Sequence, residues 1–327
     1  LYFFLLGYNY AALYTRVLHS AEHKTTSRSR ELGSKIDSIF DVAGAFVLAE
    51  TPDYLGIGRA WRPVNSTQVD FLPLLREAMK YVDELKADGL LDSRISWIAQ
   101  FVNDWFASRG LSITLEQQPD PDTFYVGSVY EQLIEWLVPG TVHALVGRNG
   151  QRYDDAVLMD SGFFTGTTPF VDEPVVMLHV KNDLDRAFMM ALPNPPSRPF
   201  ELLRLAQSVT NTMSPDNDWG ALQFPMVHVD VQGDIGWLIG MNTTTDNGQR
   251  AKITDAAQHS ILKINQKGAL GRSGFGMAVT TEMASLPKPN FVIDQPFLFW
   301  ICRQGYPLPL YTAWVDYNDW KNPGELV

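Results

Sequence analysis

Between positions 70 and 85 the apolar residues are Phe71, Leu74, Leu75, Ala78, Met79, Val82 and Leu85, the 3.6-residue stripe of a helix buried along one face. Pro73 is expected in its first turn, where a missing N–H costs nothing. A second stripe, Ile95, Ile98, Phe101, Val102, Trp105 and Phe106, predicts a helix that ends near Gly110. A third, over residues 126–137, predicts a helix closed by Pro139 and Gly140. The apolar opening, residues 1–6, is too short to span a bilayer. Tyr8, Asn9, Tyr10 and Arg16 follow it, which predicts an amphipathic first helix rather than the stub of a signal segment. With Leu and not Met at position 1, the chain is expected to be a trimmed or mature product.

From about Ala156 the period moves towards two. Strands are predicted over 156–159, 175–180, 187–192, 222–231, 237–241, 260–264, 291–293, 297–302 and 309–315, punctuated by Gly, Pro, Asn and Asp. A proline-rich break at 193–199 precedes a short helix over 200–208. There is no internal repeat and no linker, so helices first and strands later predict an α+β chain folded as one domain over residues 1–327.

Composition narrows the function. With 45% hydrophobic residues in 327, the chain can bury a full-sized core. Its net charge of −11, with no run of more than two basic residues, lacks the electrostatic footprint of a nucleic-acid binder. The acidity also argues against a glycosaminoglycan site, although Arg28, Arg30 and Lys35 could form a small basic patch. The single cysteine, Cys302, excludes an intrachain disulfide and a thiolate zinc cage. Asn65-Ser66-Thr67 and Asn242-Thr243-Thr244 are glycosylation acceptor patterns, which point to a secreted glycoprotein.

Catalytic patterns fail one by one. His19 and His23 have the i, i+4 spacing of a helical metal pair but lack the zinc-protease glutamate and a nearby third ligand, so a solvated helix face is the expected reading. Residues 271–276, Gly-Arg-Ser-Gly-Phe-Gly, are neither a dinucleotide fingerprint nor a P-loop, and Phe275 stands where a nucleophile elbow needs its last glycine. No metal, cofactor or catalytic residue is nominated, and an enzyme is not expected.

The last third carries a family signature. Phe291-Val292-Ile293-Asp294-Gln295-Pro296-Phe297-Leu298-Phe299 closely resembles the run that follows the reactive loop of serpins, and residues 260–268 resemble the strand that leads into that loop. Val102-Asn103-Asp104-Trp105-Phe106 is similar to the family's helix-F motif. Phe163-Phe164-Thr165-Gly166 with Pro169-Phe170 is similar to the end of its central strand, and Ala191-Leu192-Pro193 and Leu222-Gln223-Phe224-Pro225 to later strands. The resemblance covers residues 93–315 and leaves 1–92 poorly matched.

The resemblance implies a serpin fold, with helices on a large central sheet, two smaller sheets and an exposed loop. It implies a suicide inhibitor of a serine-type protease, whose cut loop inserts into the main sheet. Residues 266–290 would be hinge and loop, with Gln266, Lys267, Gly268, Ala269, Gly271 and Ser273 in the hinge. Counting from the hinge puts the reactive bond at Glu282–Met283; counting from the other side moves it towards Ala284 and Ser285. Read as a strand, Ala269, Gly271, Ser273, Phe275, Met277 and Val279 share one face, small first and then apolar. Three departures reduce the expectation of efficient inhibition. Gln266-Lys267 replaces the hinge's acidic pair, Thr167 and Thr168 stand where a tryptophan is expected, and Gln258 aligns with the shutter histidine, leaving His259 one place out of register. The alternative is a non-inhibitory binding or structural protein with the same fold.

Overall fold

The computed structural model describes residues 4–17, 35–195, 197–216, 219–266, 288–324 and 326. In chain order, β1 (Phe4–Val17) and β2 (Ile36–Asp37) precede α1 (Phe40–Ala49), α2 (Ser66–Met79) and α3 (Val82–Ala87). Then come β3 (Leu91–Ser96), α4 (Ala99–Ala107) and the long β4 (Thr123–Glu135). β5 (Thr141–Val146), β6 (Arg152–Met159), β7 (Phe163–Thr168), β8 (Val171–Leu178) and β9 (Asp185–Ala191) lead to α5 (Glu201–Thr212). The remainder holds β10 (Ser214–Asp216), β11 (Ala221–Pro225), β12 (Val227–Gly233), β13 (Asn242–Thr244), β14 (Arg250–Ile264), β15 (Asn290–Val292), β16 (Phe297–Arg303) and β17 (Tyr311–Val315).

These strands form three sheets. The first has the order β12-β14-β1-β4-β3, with β13 also on β14; the second runs β10-β7-β8-β9-β16-β17-β2; the third is β15-β11-β6-β5. α1 is buried almost throughout, through Phe40, Val42, Ala43, Ala45, Phe46 and Ala49, and packs under the first sheet. α4 covers that sheet's other face. Two glycines allow the close approach. A Cβ on Gly44 of α1 would collide with Ser128 Oγ of β4, and one on Gly127 of β4 would lie 2.7 Å from Phe106 and 2.9 Å from Trp105 and Val102 of α4. β4 is therefore clamped between two helices.

That clamp explains the largest departure from the sequence reading. Residues 126–137, expected as a helix, are mostly β4, and positions 123–130 are buried without a break. A strand covered on both faces shows no apolar–polar alternation, so periodicity alone does not separate it from a buried helix. The expected amphipathic first helix is also a strand, β1. The 70–85 stripe divides into α2 and α3, and the helix begins earlier, at Asn65, whose Oδ1 accepts the Gln68 N–H at 2.9 Å. Pro73 thus lies inside α2, not in its first turn. Ile95 belongs to β3, so the second helix shrinks to α4, before Gly110 turns the chain at φ +75°. The strand expected over 237–241 is a 3₁₀ turn at Gly236–Leu238. Residues 222–231 divide between two sheets at Met226.

The first and second sheets are tied by buried polar groups. Arg303 of β16 holds Asp185 of β9 through Nε–Oδ1 at 2.8 Å and Nη2–Oδ2 at 3.1 Å. Gln132 of β4 donates to the same carboxylate at 2.8 Å. The pairing fixes the end of β4 relative to the second sheet.

Candidate functional site: a strand slot between β4 and β14

β1 is antiparallel to β4 on one side and to β14 on the other, so β4 and β14 run parallel to each other with β1 between them. Its register with β4 is unbroken from Phe4↔Glu135 to Arg16↔Thr123. With β14 it runs from Leu5↔Ile264 to Val17↔Ala251, with one irregularity at Tyr14/Thr15. The row at one end is Ile134, Leu5, Ile264 and Val227, in β4, β1, β14 and β12. There the chain leaves β14, with Asn265 buried and its Nδ2 donating to Gly324 O at 2.9 Å. A chain that leaves Ile264 and folds back along β14 must run antiparallel to it. One flank of β14 is held by β12 and the other by β1.

Beneath the middle of the slot lies a polar cluster. Ala11 registers with Ser128 of β4 and with Gln258 of β14. Ser128 Oγ lies 3.3 Å from Ser93 Oγ and donates to Asp92 O at 3.3 Å. Gln258 Nε2 donates to Asp41 Oδ2 at 3.2 Å, and Asp41 Oδ1 accepts the Val42 N–H at 2.7 Å. Asp41 is fully buried in α1, and desolvation pushes its pKa up to about 7, against the opposing pull of the Val42 and Gln258 hydrogen bonds.

The opposite face is roofed by α4 and the segment after it. Val102, Phe106, Ile113 and Leu115 pack with Tyr125 and Val129 of β4 and against Ala257 and Ile261 of β14. The roof therefore reaches strands on both sides of β1. His259 pins it, because Nδ1 accepts the Ser112 N–H at 3.1 Å and leaves Nε2 to donate to Asp230 Oδ1 at 2.7 Å. Gln258, expected at the shutter, faces the floor, and His259 faces the roof, as the alternation of a strand requires.

Of the expected hinge, Gln266 is the last described residue after β14. Lys267, Gly268, Ala269, Gly271, Ser273, Glu282, Met283, Ala284 and Ser285 lie outside the described residues, as do Arg28 and Arg30. Lys35 is engaged by Asp316 at 3.0 Å and Asp319 at 2.5 Å. Asn65 is exposed, and its Nδ2 donates to Trp237 O at 2.9 Å; Asn242 Nδ2 donates to Gly240 O at 3.2 Å. Phe163–Thr168, likened to the end of the central strand, is β7 of the second sheet. The strand beside the slot is β4, and it runs into the fully buried Trp136.

Sequence reasoning missed Asp41, Ser93 and Ser128. A lone acid inside the apolar run 39–49 was the available signal for Asp41. Among the described residues no cluster of His, Cys, Asp or Glu is placed to hold a metal, and no helix is long and apolar enough to cross a membrane.

No family model matches the sequence, and no curated protein matches it at a significant level. Solved structures do match. Uncleaved ovalbumin superposes with a TM-score of 0.53 at 12% identity, over 86% of this chain and 92% of that one. Human thyroxine-binding globulin, complexed with thyroxine, superposes at 0.50 and 13% identity, over 86% and 91%. The chain has the serpin fold. Serpin48 of the insect Tenebrio molitor, described as a highly specific serpin, aligns over 87% of this chain and 92% of its own at 13% identity, with a TM-score of 0.49. In this serpin-fold chain β1 lies between β4 and β14 in the first sheet.

Proposed function

We propose that this chain is a serpin-type protease inhibitor that acts as a suicide substrate. A serine-type protease attacks the carbonyl of Glu282, or of a residue one or two places later. The peptide C–N bond breaks, the new amine takes a proton, and an ester joins the loop to the protease. The cut loop then enters the first sheet as a strand and carries the protease away before water hydrolyses the ester.

One observation supports this reading above the others. The first sheet takes an antiparallel strand between β4 and β14, beside the point where the chain leaves β14. A strand there is hydrogen-bonded on both sides. At about 1 kcal/mol net per backbone bond, a strand of a dozen residues contributes on the order of 10 kcal/mol. The alternation at 269–279 suits such a strand. Secretion, with glycans at Asn65 and Asn242, belongs to the same proposal.

A second reading, a non-inhibitory binding protein, is favoured by a different observation: the slot is already filled by β1. Incubation with a protease panel followed by a denaturing gel separates the two. The experiment uses the wild-type chain and an Ala11→Pro chain, whose proline removes an N–H from the middle of β1. Inhibition predicts an SDS-stable adduct with at least one chain. Clean loop cleavage of both chains with no adduct from either would favour the non-inhibitory reading.

A further inference from the structure

The strand in the slot is not the loop. We propose that β1 is an internal plug, which holds the insertion slot and must leave before the loop can enter; this deepens the inhibitory reading above and rests on it. The reason is positional. A loop leaving Ile264 can fold back along β14 only on the flank held by β12 or on the flank held by β1, and β1 fills the second along its full length.

β1 also has the direction an inserted loop would have. It starts at the Ile264 end and runs antiparallel to β14, as a loop folding back must. Leu5, Gly7, Asn9, Ala11 and Leu13 register with Ile134, Gln132, Tyr130, Ser128 and Val126, positions on the α1 side of β4. Gly7 and Ala11 in that row are small, as Ala269, Gly271 and Ser273 are at the start of the loop.

Removal of β1 leaves the rest of the sheet paired. β4 keeps β3, and β14 keeps β12 and β13. Gln258 keeps Asp41, and Ser128 keeps Asp92 and Ser93. With β1 in place, insertion becomes an exchange, in which each ladder bond made by the loop replaces one made by β1. The drive is then only the difference between two similar strands. With β1 gone, every ladder bond is a gain.

The test is the melting temperature before and after cleavage within residues 270–285, in full-length chains. Ala12 and Ala257 are register partners, so an Ala12→Cys, Ala257→Cys chain can be oxidised to tie β1 to β14. Burial pushes the Cys302 thiol up to about 12, which keeps it out of the exchange. Cleavage is expected to leave the melting temperature of the wild-type and oxidised chains unchanged. It is expected to raise that of Ala11→Pro by about 10 °C or more. Should Ala11→Pro not fold, Leu13→Gly weakens the same strand more gently. An equal rise in all chains overturns the plug and keeps the inhibitory reading. No rise in any chain overturns insertion itself, and the plug with it.

Discussion

Asp41 is an acid placed where an acid is costly to ionise. Its folded pKa is about 7 against an ordinary value of 3.8, so between those values the folded chain binds a proton that the unfolded chain has released. Folding stability from this group is therefore complete below about pH 4 and falls as the pH rises towards 7. Asp41→Asn removes the ionisation, and Gln258 can turn its amide to present oxygen to the new donor. The variant should match wild type near pH 4 and exceed it at pH 8 by about 4 kcal/mol. Urea titrations at the two pH values measure this. The sequence shows the acid inside an apolar run, but its partner Gln258 is far along the chain, so no local pattern could join them.

At the scale of elements, β4 decides the geometry. Ser128 faces α1 and Gly127 faces α4 in alternation, and each contact needs a small residue. Gly127→Val would drive methyl groups into Phe106, Trp105 and Val102 and lift α4 from the sheet. Overpacking of this kind costs about 1–3 kcal/mol, to be read as a lower urea midpoint with an unchanged slope. A loss near zero would mean that α4 does not bear on β4. The same double burial hid the strand from periodicity. Where one face alone is buried, or a turn marks each end, the reading succeeded, as for β6, β8, β9, β16 and β17. α4 was legible because Val102, Trp105 and Phe106 fall on one stripe, yet its start was not, since Ile95 extends that stripe into β3.

For the whole molecule, the serpin resemblance rested on runs whose neighbours in sequence are also neighbours in space. Residues 291–299 enter β15 and β16, and residues 260–264 end β14, as that resemblance implies. β1 was not legible in the same way. Its partners lie more than a hundred residues away on one side and more than two hundred on the other, and Gly7, Asn9 and the tyrosines blur both periods. A strand defined by such distant pairing is set by the vacancy it fills rather than by its own propensity. That vacancy lies between β4 and β14, and residues 4–17 fill it. Hydrogen exchange on the intact chain measures it directly. A strand bonded on both sides predicts slow exchange across 4–17, on the timescale of β4 and β14. Exchange of 4–17 at the rate of an unstructured peptide, with β4 and β14 still protected, would contradict it.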